Sequence, residues 1–276
     1  VLTGLTDKGS VGRAFGLERA GDNLGAILGP LLASALVGVF GVRWTIMLAL
    51  IPGALAAIAI SVAVSEARAT FTTGTAKARL SLNLHELRRE GIWRTLAPVS
   101  FFELGNLANT LLILRATDLL IGSGWHSAAA ASAAILAYAG HNGVAVGSAL
   151  LAGQLIDRRN PRAAFALGGA CFVAAYLTFA FGTGLAAVIV GFVLAGAGIG
   201  LAETAESSLV ALSVSAENRS HAFGLLGLVQ SIGDLGATVV AGLLWTLISP
   251  QVAFGYASAW MLLSLLSGRL LATRPH

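Results

Sequence analysis

The chain has 276 residues, of which 56% are hydrophobic and 11% are charged. A soluble globular domain carries about 25% charged residues, so the composition excludes that class. The net charge of +4 is compatible with nucleic-acid binding, but the basic residues lie in loops between apolar runs, and this pattern favours a membrane protein with no nucleic-acid partner. The single cysteine, Cys171, excludes an internal disulfide or a cysteine-based zinc site, and no metal or cofactor is expected.

Long apolar windows alternate with short charged loops along the whole chain. A hydrocarbon core roughly 30 Å thick requires about 20 apolar residues per helix, and eight windows reach that length. We therefore predict an all-α polytopic membrane protein with eight transmembrane helices. The predicted spans are Asp22–Val42, Trp44–Val64, Thr95–Leu114, Ser127–Gln154, Ala163–Gly182, Leu185–Val210, Ala222–Ile248 and Val252–Leu271.

Basic residues are distributed unequally between the two sides of this arrangement. Of the 17 Lys and Arg residues, fifteen fall on one side of the membrane, and only Arg43 and Arg115 fall on the other. By the positive-inside rule, both termini are expected in the cytoplasm, with the chain in the inner membrane of a bacterium. Arg115 and Asp118, at the outer end of the third span, are expected to form an exposed ion pair that contributes little stability.

An internal repeat indicates how the spans are grouped. The segment "RAFGLERAGDNLG" at 13–25 recurs as "HAFGLLGLVQSIG" at 221–233, and these segments open the first and seventh spans. The alternative is coincidence in an Ala/Gly/Leu-rich chain. A repeat unit of six helices, a known plan of transporters, predicts the last two helices of one bundle at 1–64, a linker at 65–94 and a complete six-helix bundle at 95–276. Four amino-terminal helices are then missing.

The predicted linker is the longest polar segment of the chain. Its stretch "LSLNLHELRRE" places Leu80, Leu84 and Leu87 at helical spacing, opposite charged residues. This spacing predicts a short amphipathic helix on the cytoplasmic face of the membrane.

A polar knot, "GQLIDRRNPR" at 153–162, interrupts two uncharged runs. Gly153 is expected to permit close backbone approach in a short turn, and Pro161 suits the first position of the next helix. Asp157 can face a helix amino terminus, where the macrodipole favours a carboxylate. The alternatives are a latch for one conformational state and a simple topogenic charge cluster. The latch would comprise Gly153, Asp157, Arg158 and Arg162, with Glu203 or Glu206 as partners of the arginines.

The spacing Gly153-x-Leu155-x-Asp157-Arg158-x-x-x-Arg162 resembles the cytoplasmic loop signature of the major facilitator superfamily, G-x-L-x-D-R-x-G-R-R/K. The resemblance implies a bundle of helices five to twelve, in which this aspartate caps the first span near Gly12. It also implies secondary transport by alternating access.

A second motif supports this resemblance. "GAILGPLLAS" at 25–34 resembles the helix-five motif of the same family, with Gly25, Gly29 and Pro30 at matching positions. Ala33 and Ser34 replace the final glycines, which weakens the association of this motif with antiport.

Polar residues inside membrane spans are functional candidates, because burying them in lipid is unfavourable. Glu103 and Asn106 share a helix face near the middle of their span, and Glu103 is the first candidate for substrate contact or proton coupling. Asp234 lies deeper in its predicted span than Asp22 and is therefore the stronger functional candidate of the two. His141 is either a proton relay or a residue that packs helices together through a hydrogen bond. The alternative for Glu103 is a purely structural role, in which it forms a hydrogen bond between helices.

We predict a secondary transporter of a small solute, with protons as the expected coupling ion and the direction of transport left open. A nucleophile–base pair and a Walker sequence are not found, so an enzyme is not expected. The alternative is a non-transporting membrane protein, either a truncated or pseudogene product or a sensor or assembly partner built on the same bundle.

Overall fold

A computed structural model describes residues 9–70, 84–158 and 160–272. Within these ranges the chain forms helices and no strand. In chain order the helices are α1 (Val11–Leu48), α2 (Leu50–Thr70), α3 (Leu84–Arg89), α4 (Trp93–Gly105), α5 (Asn109–Ile121), α6 (Ser127–Arg158), α7 (Pro161–Phe181), α8 (Gly184–Ser213), α9 (Arg219–Leu247) and α10 (Pro250–Ala272).

Six helical segments within these ranges are long and apolar enough to cross a membrane, which confirms the all-α membrane bundle. The first and last predicted spans are also helical, within α1 and α10, but they are not among the six segments, so the count of eight stays a prediction. The six are Arg43–Val62, Trp93–Ile121, Ser127–Arg158, Pro161–Phe181, Gly184–Ser213 and Arg219–Leu247.

The boundary between the first two predicted spans lies at a glycine. Gly41 has a φ of 75° and a ψ of 167°, so it interrupts the helical backbone of α1. Only glycine adopts this backbone region without strain, because it has no Cβ. Helix α2 follows, and the described side chains of residues 50–62 are all exposed, which suits a helix in contact with lipid.

The third predicted span is not one continuous helix. Helix α4 ends at Gly105 and α5 begins at Asn109, and the backbone of Asn106 is extended, with a ψ of 96°. The freed backbone N–H of Leu107 donates a hydrogen bond of 3.0 Å to the hydroxyl oxygen of the buried Tyr176. Irregular backbone is tolerated at membrane depth only where protein or a water-filled cavity satisfies it. The break was not predicted because its compensating partner lies on α7.

Helix α8 lies at the centre of the bundle, and its most extensive contacts are with α6 and α7. Its glycines permit this packing. A Cβ at Gly200 would lie 2.5 Å from the carbonyl oxygen of Ala145 on α6, and a Cβ at Gly198 would lie 3.1 Å from the carbonyl oxygen of Gly168 on α7. Small residues let helix backbones approach closely in membranes, so this part of α8 has little freedom to shift.

Arg115 corrects an expectation about the outer end of the third span. It is only 8% exposed and is not part of a surface ion pair. Its Nε donates to the carbonyl oxygen of Phe179 at 2.8 Å, and its Nη2 donates to that of Ala180 at 3.1 Å. These carbonyls lie at the carboxyl end of α7, where a helix leaves its last C=O groups unsatisfied and its dipole favours a cation.

The carboxyl-terminal part of the predicted linker, just before α4, contacts the helical bundle. Leu87 of α3 is fully buried. The Glu90 carboxylate accepts hydrogen bonds from the backbone N–H of Ser215 at 3.1 Å and from the Asn218 side chain at 3.0 Å, both in the connection between α8 and α9. The remainder of the predicted amphipathic helix, including Leu80, lies outside the described residues. The division of the chain into two bundles stays a prediction.

Candidate functional site

A polar cavity of about 420 Å³ lies among α1, α6, α8, α9 and the break between α4 and α5. These elements, together with Asn109 of α5 and Phe172 of α7, contribute to its wall, so the cavity is a product of tertiary packing rather than of one local motif. The charged and hydrogen-bonding side chains on the wall include Arg19, Asn106, Tyr138, His141, Glu203 and Asp234.

Asn106 joins two carboxyl groups from different helices. Its Nδ2 lies 3.1 Å from Oε2 of Glu103 on α4 and 3.2 Å from Oδ1 of Asp234 on α9. An amide nitrogen has two N–H donors, so it can serve both acceptors at once. Asp234 is exposed to the cavity, whereas Glu103 is only 3% exposed and lies behind Asn106. The structure thus brings together three of the four predicted coupling residues.

A further carboxyl group extends this cluster into the core. Glu206 of α8 is fully buried, and its Oε2 accepts a hydrogen bond of 3.0 Å from Nε2 of Gln230. Its Oε1 is buried and has no hydrogen-bond partner in the described part of the chain. A carboxyl group can take up and release a proton, and it donates a hydrogen bond only in its protonated form. Glu103, Asp234 and Glu206 are therefore the candidates for a proton-binding role in this region.

Arg19 links α1 to the opposite wall of the cavity. Its Nη1 lies 3.4 Å from Oε2 of Glu203 on α8 and 3.9 Å from Oδ2 of Asp22, one turn along α1. Its Nη2 donates to the hydroxyl of Ser207 at 3.4 Å. In the sequence Arg19 counted only as one of the orienting loop charges. The signal that identifies it is Asp22 three residues later, which places both charges on one face of a helix that enters the membrane.

His141 is held between helices α6 and α8. Its Nδ1 lies 3.3 Å from the carbonyl oxygen of Phe192, and its ring stacks on that of Tyr138 with centroids 5.4 Å apart. The Tyr138 hydroxyl accepts a hydrogen bond of 3.1 Å from Asn109. His141 lines the cavity but is only 3% exposed, and its contacts are those of a helix-packing residue.

The polar knot contacts the amino terminus of α1. Oδ1 of Asp157 accepts from the backbone N–H of Gly12 at 2.8 Å. Its Oδ2 accepts from the backbone N–H of Arg13 at 3.3 Å and from the Arg13 Nε at 2.8 Å. The first N–H groups of a helix lack intrahelical partners, so this carboxylate satisfies two of them and lies at the positive end of the dipole. Helix α7 begins at Pro161, and Oδ1 of Asn160 accepts the N–H of Arg162 at 2.9 Å.

Gly153 permits a close approach, but not the one expected. It lies inside α6 rather than in the turn, because the helix continues to Arg158. A Cβ at Gly153 would lie 2.7 Å from the carbonyl oxygen of Gly12, and a Cβ at Gly16 would lie 2.6 Å from that of Ala149. The glycine is therefore explained by the crossing of α6 with α1, which the local sequence does not reveal.

The remaining latch and motif residues do not join these contacts. Glu203 and Glu206 contact Arg19 and Gln230, and in the described part of the chain neither is paired with the exposed Arg158 or Arg162. The expected pairing is wrong in this conformation because both carboxyl groups lie within the bundle, away from the loop. A Cβ at Gly25 or Gly29 would meet nothing within 4 Å, and the side chain of Pro30 lies outside the described residues.

Comparison with known proteins gives a consistent result. The sequence profile of the Major Facilitator Superfamily matches residues 1–141 and again residues 116–276. An uncharacterised MFS-type transporter of Methanocaldococcus jannaschii is 27% identical over 262 residues, which are 95% of this chain and 64% of that protein. The crystal structure of a mutant of peptide transporter POT in complex with sulfate superposes with a TM-score of 0.53 and 22% identity, over 66% of this chain and 37% of its own. The last similarity concerns the fold alone. This chain, whose helical membrane bundle surrounds a polar cavity, belongs to the Major Facilitator Superfamily of membrane transporters.

Proposed function

We propose that this chain is part of a proton-coupled secondary transporter that moves a small solute by alternating access. The observation that carries the proposal is the position of Asn106, which holds Glu103 and Asp234 together on the cavity wall where a membrane-spanning segment is interrupted. Interrupted helices next to a midplane cavity are a recurring design for substrate and ion sites in secondary transporters. The cavity is the proposed solute site.

The proposed proton path begins at the cavity. In this proposal Asp234, which is exposed there, receives the proton, Glu103 is the buried acceptor, and the fully buried Glu206 of α8 extends the path. A proton on Glu103 changes the number of donors in the cluster by one. Because Asn106 contacts both Glu103 and Asp234, this change alters how the cavity wall can bind a solute. This coupling is the proposed link between proton and solute.

Two contacts of α1 are proposed to hold one conformational state. Asp157 at the end of α6 binds the amino terminus of α1, and Glu203 of α8 pairs with Arg19 further along the same helix. If residues 1–64 belong to one bundle and residues 95–276 to the other, both contacts cross between the bundles. They must then break when the bundles rock, because each contact is only a few ångströms long.

The proposed location is the cytoplasmic membrane of a bacterium, with both termini and the Asp157 end facing the cytoplasm. The unequal distribution of Lys and Arg supports this orientation. The chain spans 64% of the length of the transporter it matches, so the transport activity is proposed for the whole protein that carries this sequence.

The experiment that tests this function begins with a screen. Small solutes that raise the thermal stability of the purified whole protein would be radiolabelled and offered to cells that express it. Proton-coupled transport predicts uptake or efflux that stops when a protonophore collapses the proton gradient. An Asp234→Asn variant is expected to lose this activity at equal protein level, whereas Glu217→Gln, which changes an exposed loop carboxylate, is expected to keep it. Transport that persists without the gradient would exclude proton coupling, and absence of transport for every stabilising solute would favour a non-transporting role.

A further inference from the structure

A second cavity, of about 190 Å³, lies among α4, α7, α8 and α10. No residue lines both this cavity and the polar cavity described above. Pro98, Phe165, Leu209 and Leu265 give it an apolar interior, and two arginines, Arg94 and Arg162, lie on its wall. We infer that this cavity binds an anionic glycerophospholipid, with the phosphate between the two arginines and part of one acyl chain in the apolar interior.

The two arginines supply the charge that a phosphate requires. Arg94 and Arg162 are both exposed, and neither makes an ion pair with an acidic side chain in the ranges that the structure describes. Each is the second residue of its helix, α4 and α7 respectively. The backbone N–H groups of both residues already have partners, the Gly91 carbonyl oxygen at 3.0 Å for Arg94 and Oδ1 of Asn160 at 2.9 Å for Arg162. The guanidinium groups, with the positive ends of the two helix dipoles, therefore supply the attraction for an anion.

The interior of the cavity excludes a purely polar ligand. The hydroxyl groups in its wall already have partners: Thr95 shares a hydrogen bond of 2.7 Å with Ser213, and Ser264 donates to the carbonyl oxygen of Pro98 at 2.7 Å. What the interior offers is therefore apolar surface. A ligand that uses both the arginines and this surface must have an anionic head and a hydrocarbon chain.

The place of the cavity in the bundle also suits a lipid. Trp93, next to Arg94, is 46% exposed at the start of α4, and exposed tryptophans of this kind lie at the headgroup level of a bilayer. The arginines lie at the end of the bundle where Lys and Arg are in excess. Basic pockets between membrane helices on that side bind the head groups of anionic lipids.

The test compares lipids with equal chains and different heads. The whole protein would be purified and its binding of phosphatidylglycerol and phosphatidylcholine measured by native mass spectrometry, with glycerol 3-phosphate as a head group without chains. We expect phosphatidylglycerol to bind more tightly than both. The Arg94→Ala/Arg162→Ala variant is expected to lose its affinity for phosphatidylglycerol by roughly thirtyfold, since each arginine near an anionic lipid contributes to binding. Arg88→Ala/Arg89→Ala removes the same charge from exposed positions of α3 outside the cavity and is expected to bind as the wild type does.

A second variant tests the apolar part separately. Ala163 is exposed and lines the cavity, so Ala163→Phe fills the cavity while both arginines remain. It is expected to weaken phosphatidylglycerol binding as well. The proposal is wrong if the two lipids bind equally, if the double arginine variant binds like its control, or if glycerol 3-phosphate binds as tightly as the lipid, because the last result indicates an anion site without a chain.

Discussion

Asp157 and Gly12, separated by 145 positions in the chain, are joined by a hydrogen bond of 2.8 Å from the Gly12 backbone N–H to the Asp157 carboxylate. The carboxylate is only 9% exposed, while its partner Arg13 is 64% exposed. The contact with the Gly12 N–H is partly buried, whereas both contacts with Arg13 are exposed to water. This arrangement makes the helix terminus, rather than the surface arginine, the main partner of Asp157.

An Asp157→Asn substitution tests this relationship. It removes the negative charge and keeps the shape of the side chain, and a charge at a partly buried helix terminus contributes up to about 2 kcal/mol. That loss is enough to shift a two-state equilibrium more than tenfold. We expect reduced transport per molecule at an unchanged protein level, with Asp118→Asn on the exposed surface of α5 as the control. Unchanged transport would indicate that the polar knot is only a charge cluster that sets the orientation of the chain in the membrane.

A Gly153→Ala substitution tests the crossing of α1 and α6. The added Cβ would lie 2.7 Å from the carbonyl oxygen of Gly12, which is backbone and can yield only if the helices separate. We expect a loss of about 1–3 kcal/mol in stability, measured as a lower midpoint of thermal unfolding in detergent. Gly143→Ala, on the same helix but in open space, is expected to leave the midpoint unchanged or to raise it. Equal midpoints for the two variants would contradict the close packing.

A Tyr176→Phe substitution tests how the helix break is held. It removes the hydroxyl that accepts the Leu107 N–H and leaves that N–H buried without a partner. An unsatisfied buried donor costs about 1–3 kcal/mol, so a lower unfolding midpoint is expected. Tyr256→Phe removes a hydroxyl that has no hydrogen bond in the described part of the chain, and it serves as the control. A Tyr176→Phe midpoint equal to that of the wild type would mean that water or backbone movement satisfies the break.

The contact between Glu90 and the connection from α8 to α9 is expected to depend on pH. The hydrogen bond from Asn218 lowers the pKa of the Glu90 carboxyl below its ordinary value of 4.5, and the bonds from Ser215 act in the same direction. A carboxyl group whose pKa is lower in the folded state than in the unfolded state stabilises the fold at any pH above its ordinary pKa. This stabilisation is lost as the pH falls through the pKa of the folded state. The Ser215 amide is thus expected to be protected from hydrogen exchange at neutral pH and to lose protection below pH 4.5. In Glu90→Gln, which cannot titrate, that protection is expected not to change over the same range.

The fold could be predicted from the sequence to the extent that it depends on composition and local pattern. Charged loops between apolar runs predicted the membrane bundle, and the spacing of Asp157 and its neighbours predicted the family, both of which are confirmed. The capping contact of Asp157 with Gly12 followed from the resemblance to the family, not from the local sequence. The number of spans and the division into bundles stay predictions.

Long-range contacts account for what the sequence did not reveal. The helix break after Asn106 depends on Tyr176 of another helix, and the burial of Arg115 depends on the carbonyl groups at the end of α7. The local sequence predicts Gly153 in a turn, because its observed partner, Gly12, is distant in the chain. The local sequence indicates only a loop charge at Arg19, because its partner Glu203 lies on α8. Each of these errors concerns a residue whose partner no local pattern specifies.

The most direct test of the account separates exchange from accumulation. Proteoliposomes containing the whole protein would be assayed with the solute found in the screen. The first assay measures exchange of labelled solute between equal internal and external pools, and the second measures accumulation driven by a proton gradient. Glu103→Gln keeps the side-chain volume and the contact with Asn106 but cannot carry a proton. We expect the variant to retain exchange and to lose proton-driven accumulation, while the wild type performs both. Accumulation by the variant at the wild-type rate and with the wild-type pH dependence would contradict the account and make Glu103 a structural hydrogen-bonding residue.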